Sequence, residues 1–245
     1  MSTQEKARTA TLVVGADSDM GAAIIAGLTG EIVAHFCIYP QKLASLCGEG
    51  RNVTPVKGDL STESGILEFI ENVKATGFAI NKIVHLPSAA ARQARFRDFD
   101  LSHFEREQSI ALNSALLICR AFVPEMAKAR FGRVVFMLTS YCIGVPPKFL
   151  TSYIVCKYAL EGLMKSLAAE YSDKGITVNG VAPSMTETKF LSDMSDLIVG
   201  QAAKSNPTGR NACPADIAPA FWLLLGDDNE FISGAVIPVT GGSAF

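Results

Sequence analysis

The apolar residues of this chain gather in short runs separated by polar stretches. Seven runs are rich in β-branched residues: TLVVGA (11–16), IVAHFCI (32–38), NVTPV (52–56), KIVHL (82–86), RVVFMLTS (133–140), ITVNGVA (176–182) and AVIPV (235–239). They are apolar nearly throughout rather than alternating, as strands covered on both faces should be. Longer stretches with helical periodicity lie between them, near 19–29, 40–47, 62–76, 101–129, 152–173 and 214–226. Each gap between strands has room for a crossover helix. The pattern therefore predicts βαβ units: an α/β, doubly wound parallel sheet of about seven strands with helices on both faces. No linker, repeat or low-complexity segment interrupts the series, so one domain over 1–245 is expected, with a flexible tail at 1–9. The least regular stretch, 184–213, reads as a substrate lid between the last two strands.

Composition narrows the function classes. The 245 residues carry a net charge of −2, with a pI of about 6.0, which leaves no basic footprint for nucleic acid. No apolar run reaches the ~18 residues of a membrane span, and the opening MSTQEKARTA lacks the apolar core of a secretory signal. The six cysteines (37, 47, 119, 142, 156, 213) include no C-x-x-C pair and read as reduced thiols of a cytoplasmic protein. The histidines at 35, 85 and 103 show no ligand spacing, so no metal site is expected.

The stretch VVGADSDMGAAI (13–24) reads as strand, tight turn and helix start. Gly15 can take a positive φ there, and Gly21 lets the helix approach the sheet. Between them Ser18, Asp19 and Met20 place backbone N–H groups at a helix N-terminus, which suits a pyrophosphate. The spacing is not G-x-G-x-x-G, and Asp19 stands where a middle glycine is expected; an N-capped helix explains Ser18 or Asp19 equally well. Selectivity for the adenosine half should show after the second strand, at Cys37-Ile38-Tyr39-Pro40-Gln41-Lys42. No acid stands there to hold a ribose hydroxyl, and Lys42 leans the reading towards NADP(H) with NAD(H) as the alternative. Asp59, followed by Leu60 after the third strand, is placed to meet the adenine or, equally, to serve as a turn or N-cap aspartate ahead of the next helix.

Tyr153 and Lys157, in Y-I-V-C-K, stand one turn apart on one helix face. Ser140 precedes Tyr153 by 13 residues and Asn113 precedes Ser140 by 27. Taken singly these are a surface pair, a strand-end serine and a helix-face asparagine. Together with VVGADSDMG, VNGVAPSMTET and ISGAVIPVTGG, their order and spacing resemble the short-chain dehydrogenase/reductase family over about residues 10–243. The resemblance implies hydride transfer between a nicotinamide cofactor and a ketone or alcohol. It makes Tyr153 the general acid/base and Lys157 the cation that lowers its pKa and holds the ribose. It gives the substrate oxygen to Ser140 and a proton-path water to Asn113. It also implies cofactor contacts at Ser88 and Ala89, where HLPSAAA replaces the common N-N-A-G, and at Pro183 and Thr188.

The resemblance leans towards members that act on carrier-linked 3-oxoacyl thioesters, with a small polar ketone, a sugar or a secondary-metabolite intermediate equally consistent, and it implies a homo-oligomer, tetramer or dimer, packed through 101–129 and 152–173. The segment 92–106, with four arginines, reads as a solvated loop or as a basic rim for an acidic carrier. Two alternatives stay open: a non-catalytic cofactor-sensing or scaffold subunit, and a dehydratase or epimerase on the same frame.

Overall fold

The computed structural model describes residues 8–37, 52–89, 92–191 and 195–244. The expected helix at 40–47, Lys42 within it and Tyr39 before it, lies outside them, as does most of the tail. All seven expected strands form: β1 (Thr9–Val14), β2 (Glu31–Phe36), β3 (Asn52–Lys57), β4 (Ala79–His85), β5 (Gly132–Met137), β6 (Ile176–Pro183) and β7 (Val236–Val239). They pair in parallel in the order β3-β2-β1-β4-β5-β6-β7. The order reverses between β1 and β4, so the loops at their carboxyl ends part and open a crevice.

Successive residues of one strand enter different cores, which is why the runs are apolar throughout. Leu12 and Val14 face a core built with α2 (Glu63–Ala75), α4 (Ser114–Ala129) and α5 (Thr151–Tyr171). Val13 faces the other, built with α1 (Asp19–Ala26) and α7 (Pro214–Leu225). Trp222 ties that second layer together, its indole N–H donating to the Ile24 carbonyl at 2.9 Å.

The expected helix 101–129 is continuous but uneven: α3 (Leu101–Gln108) passes through a π turn at Ser109–Asn113 into α4. By length and composition this helix could cross a membrane. Here Ile118, Phe122, Val123 and Met126 bury its apolar face against the sheet. The expected lid contains one more helix, α6 (Asp196–Ser205), with a parallel bridge between Thr186 and Ala212 closing its base. Five cysteines, 37, 119, 142, 156 and 213, are free thiols.

Candidate active site

The crevice is a cleft of about 680 Å³ lined from the carboxyl ends of β1 to β6, within the usual range for a small-molecule site. Its floor is the turn after β1. Gly15 has a φ of 82°, and a Cβ on Gly21 would come within 2.6 Å of the Ala16 backbone, so the helix sits too close for any other residue. Ser18 spends its hydroxyl on the turn itself, accepting from Gly21 N at 2.9 Å and donating to Gly15 O at 2.7 Å. Ser18, Asp19 and Met20 line the cleft; Gly21 lies behind them.

Sequence patterning missed what holds this turn. His35, buried on β2, accepts from Gly15 N through Nδ1 at 3.0 Å and meets Gly58 O through Nε2 at 3.2 Å. These bonds require the neutral ring with its proton on Nε2, and burial lowers its pKa accordingly. The only signal in the sequence was a histidine inside an otherwise apolar strand.

Asp19 behaves unlike a glycine substitute. Its carboxylate accepts from Lys189 N at 2.9 Å, tying the phosphate turn to the start of the lid. Asp59 lines the cleft and also accepts from Ser61 N at 2.9 Å, as a turn aspartate does, while Thr62 and not Asp59 caps α2. Leu60, Ser88, Pro183 and Thr188 also line the cleft, and Ala89 does not. Two hydroxyls on its wall, Ser88 Oγ and Ser184 Oγ, are buried with no hydrogen-bond partner. Polar atoms are rarely left so. With the glycine turn they fit a dinucleotide, whose polar edges would supply the missing partners.

At the far wall stand Tyr153 and Lys157. Lys157 is 2% exposed; its Nζ donates to Met137 O at 2.8 Å and lies 5.6 Å from the centre of the Tyr153 ring. Burial brings its pKa down to about 8. The expectation that Lys157 holds the Tyr153 pKa down is not met in the chain alone. Burial pushes the phenol well above its usual range, and the force opposing it is a hydrogen bond from Thr139. The ammonium spends its charge on the Met137 carbonyl and on other neighbours.

Two expected residues are displaced. β5 ends at Met137, not at residue 140, and it is Thr139 that enters the cleft beside Tyr153. Ser140 starts the next turn (Ser140–Cys142), buried and absent from the lining. Counting back from Tyr153 assumes a fixed loop length; counting forward from the strand would have found Thr139. Asn113 ends the π turn, partly exposed, and does not reach the cleft. The π turn rotates that helix face, which a constant 3.6-residue period cannot anticipate. Tyr141, Leu150, Met185 and Leu191 add apolar surface to the cleft lining, which also includes Arg106, whose charge acts on Cys37 and Asp59. Arg92, proposed as part of a basic rim, is instead paired with Asp100 at 2.9 Å.

Comparison with known proteins agrees with this arrangement. The family model described as enoyl-(acyl carrier protein) reductase matches residues 37–244. The oxidoreductase UcpA of Salmonella typhimurium is 29% identical over 216 residues, covering 83% of this chain and 80% of that one. The acetoacetyl-CoA reductase of Allochromatium vinosum is 27% identical over 241 residues, covering 94% and 96%. The fold matches a 3-oxoacyl (acyl-carrier-protein) reductase of Agrobacterium tumefaciens solved with NADP, with a TM-score of 0.86 at 23% identity, covering 96% and 93%. The chain belongs to the short-chain dehydrogenase/reductase family of NAD(P)-dependent oxidoreductases.

Proposed function

We propose that the chain reduces a ketone at the expense of NADPH, and that its substrate is an apolar or thioester-linked 3-oxo compound. The observation that carries the reading is the meeting of Thr139, Tyr153 and Lys157 at one wall of a dinucleotide-sized cleft. The bound cofactor would supply hydride to the carbonyl carbon. The chain supplies the rest. Hydroxyls of Thr139 and Tyr153 converge on the place where oxygen gains charge, and Tyr153 gives that oxygen its proton. Lys157, held by Met137 O, stands behind the phenol to stabilise the phenolate left behind. The apolar wall of Leu150, Met185 and Leu191 excludes water from the reacting carbonyl.

Arg106 at the adenosine end supports NADPH over NADH, since a guanidinium suits a phosphate. The named activity of the Allochromatium relative supports a 3-oxoacyl thioester. A cytoplasmic homo-oligomer, dimer or tetramer, belongs to the same reading; exposed Leu116 on α4 and Val155 and Tyr158 on α5 offer it an apolar face.

The test is fluorescence titration with NADPH and NADH, then a panel of ketones and 3-oxoacyl thioesters followed by loss of dihydronicotinamide absorbance. Tyr153→Phe should bind NADPH as the parent does and lose turnover by a factor of about 100 or more. Equal turnover by Tyr153→Phe refutes the assignment, and a chain that binds neither nucleotide is a scaffold.

A further inference from the structure

One buried charge behind the Tyr153–Lys157 pair has no place in that scheme. Glu107, in the last turn of α3, is 1% exposed, and neither carboxylate oxygen has a hydrogen-bond partner. Carboxylates are seldom buried, and an unpartnered one is costly, so packing alone does not account for it. Across from it on α5 lie Lys157, Tyr153 and Cys156, each acted on by its charge. The two charges have not closed into an ion pair: Lys157 Nζ bonds Met137 O, and both Glu107 oxygens stay unbonded. Burial raises the Glu107 carboxyl to about 7, against the pull of Lys157.

One turn back on α3, His103 holds Nε2 3.7 Å from the Glu107 carboxylate, and that nitrogen too is buried without a hydrogen bond. His103 also lines a small cavity of about 10 Å³, room for about one water, walled by Arg92, Asp100, Thr151 and Ser152 among others. This cavity shares no lining residue with the cofactor cleft.

We propose that Glu107 and His103 are positioning residues that hold a proton path from the Tyr153–Lys157 pair to solvent, separate from the cofactor cleft. The proposal rests on the ketoreductase reading. Reduction consumes one proton per turnover beside the two electrons carried as hydride. Tyr153 gives its proton to the carbonyl oxygen and becomes phenolate. The Lys157 ammonium returns a proton to the phenolate, and the Glu107 carboxyl restores the ammonium. His103 then passes a proton to the Glu107 carboxylate from a water in the small cavity, which regains it from bulk solvent, an imidazole being able to take a proton at one ring nitrogen and release it at the other.

Infrared titration of the whole chain tests the first link without turnover. The wild type should show a protonated-carboxyl stretch that disappears with a midpoint of about 7. Glu107→Gln should lack the band, and Lys157→Met should move the midpoint upwards, because the cation that favours ionisation is gone. In the kinetic arm, wild-type ketone reduction should fall as pH rises through that midpoint. Glu107→Gln should lose this dependence and about tenfold in kcat while keeping its NADPH affinity. Glu107→Asp should keep the dependence, and His103→Gln should lower kcat and enlarge the solvent isotope effect at constant KM. A band that does not titrate, or a Glu107→Gln pH profile that superimposes on the parent's, overturns the path. A chain in which Glu107 titrates and responds to Lys157→Met, but which reduces no carbonyl, sinks the ketoreductase reading and leaves the Glu107–Lys157 coupling standing.

Discussion

His85, at the end of β4, offers a quantitative check on the buried electrostatics of the site. It is 1% exposed, and its Nε2 lies 2.8 Å from Ser114 Oγ. Ser114 spends its own proton on Ile110 O at 2.5 Å, so the imidazole is the donor at Nε2, and its buried Nδ1 has no hydrogen-bond partner. Burial, and then the charge of Lys157, take its pKa from 6.5 to about 3. Below 6.5 the unfolded chain gains a proton that the folded chain refuses. Stability from this group is therefore complete above that pH and is lost as pH falls towards 3. From 6.5 to about 3, at about 1.4 kcal/mol per pH unit, the whole effect is about 5 kcal/mol, and about 2.7 kcal/mol is gone by about pH 4.5. That is a large fraction of an ordinary folding free energy.

Glu107 works in the opposite sense: its raised carboxyl contributes stability below its unfolded pKa that is lost as pH rises towards 7. The two partly cancel in the wild type, so the wild-type profile alone cannot separate them. Urea unfolding of wild type and His85→Leu at about pH 7 and about pH 4.5, read by Trp222 fluorescence, does separate them. The stability deficit of the variant should shrink by about 2.7 kcal/mol on acidification. A deficit equal at both pH values would show that His85 is not held neutral, and the picture of a dry interior behind Lys157 would fail with it.

Two further outcomes bear on the cleft. Thr139→Ala should lower kcat/KM by about 100-fold, Thr139→Ser should restore most of it, and Ser140→Ala should stay within about twofold of the parent; the reverse ranking would return the role to Ser140. Asp19→Asn keeps an acceptor for Lys189 N and removes a negative charge from the helix N-terminus, so NADPH should bind about fivefold tighter at low salt, and an unchanged affinity in fluorescence titration would place the carboxylate away from the pyrophosphate.

The sheet was legible because burial on both faces writes itself into composition: every strand had to be apolar at consecutive positions, and seven such runs have one economical arrangement. The cleft was legible as far as backbone demands reach, at Gly15 and Gly21, where a turn and a close approach exclude a side chain. The two expected catalytic residues that the structure leaves outside the cleft lining share a cause. Ser140 and Asn113 were placed by counting residues, and a count is converted into position only by the local geometry it crosses. β5 stops two residues before Thr139, and the π turn sits directly upstream of Ser114. Each shifts the face on which the next polar side chain emerges.

His35, His85 and Glu107 were missed for a different reason. A sequence shows a polar residue in or beside an apolar stretch but not what it meets there, and the meaning of each lies in a partner far along the chain or in the lack of one. His35 is defined by Gly15 and Gly58, and Glu107 by the charge of Lys157, which acts on it from another helix. Polar groups that look isolated in the sequence are therefore the ones whose role only the fold reveals: His35 clamps the phosphate turn, Glu107 lies unpartnered within reach of the Lys157 charge, and Asp19 ties that turn to the start of the lid.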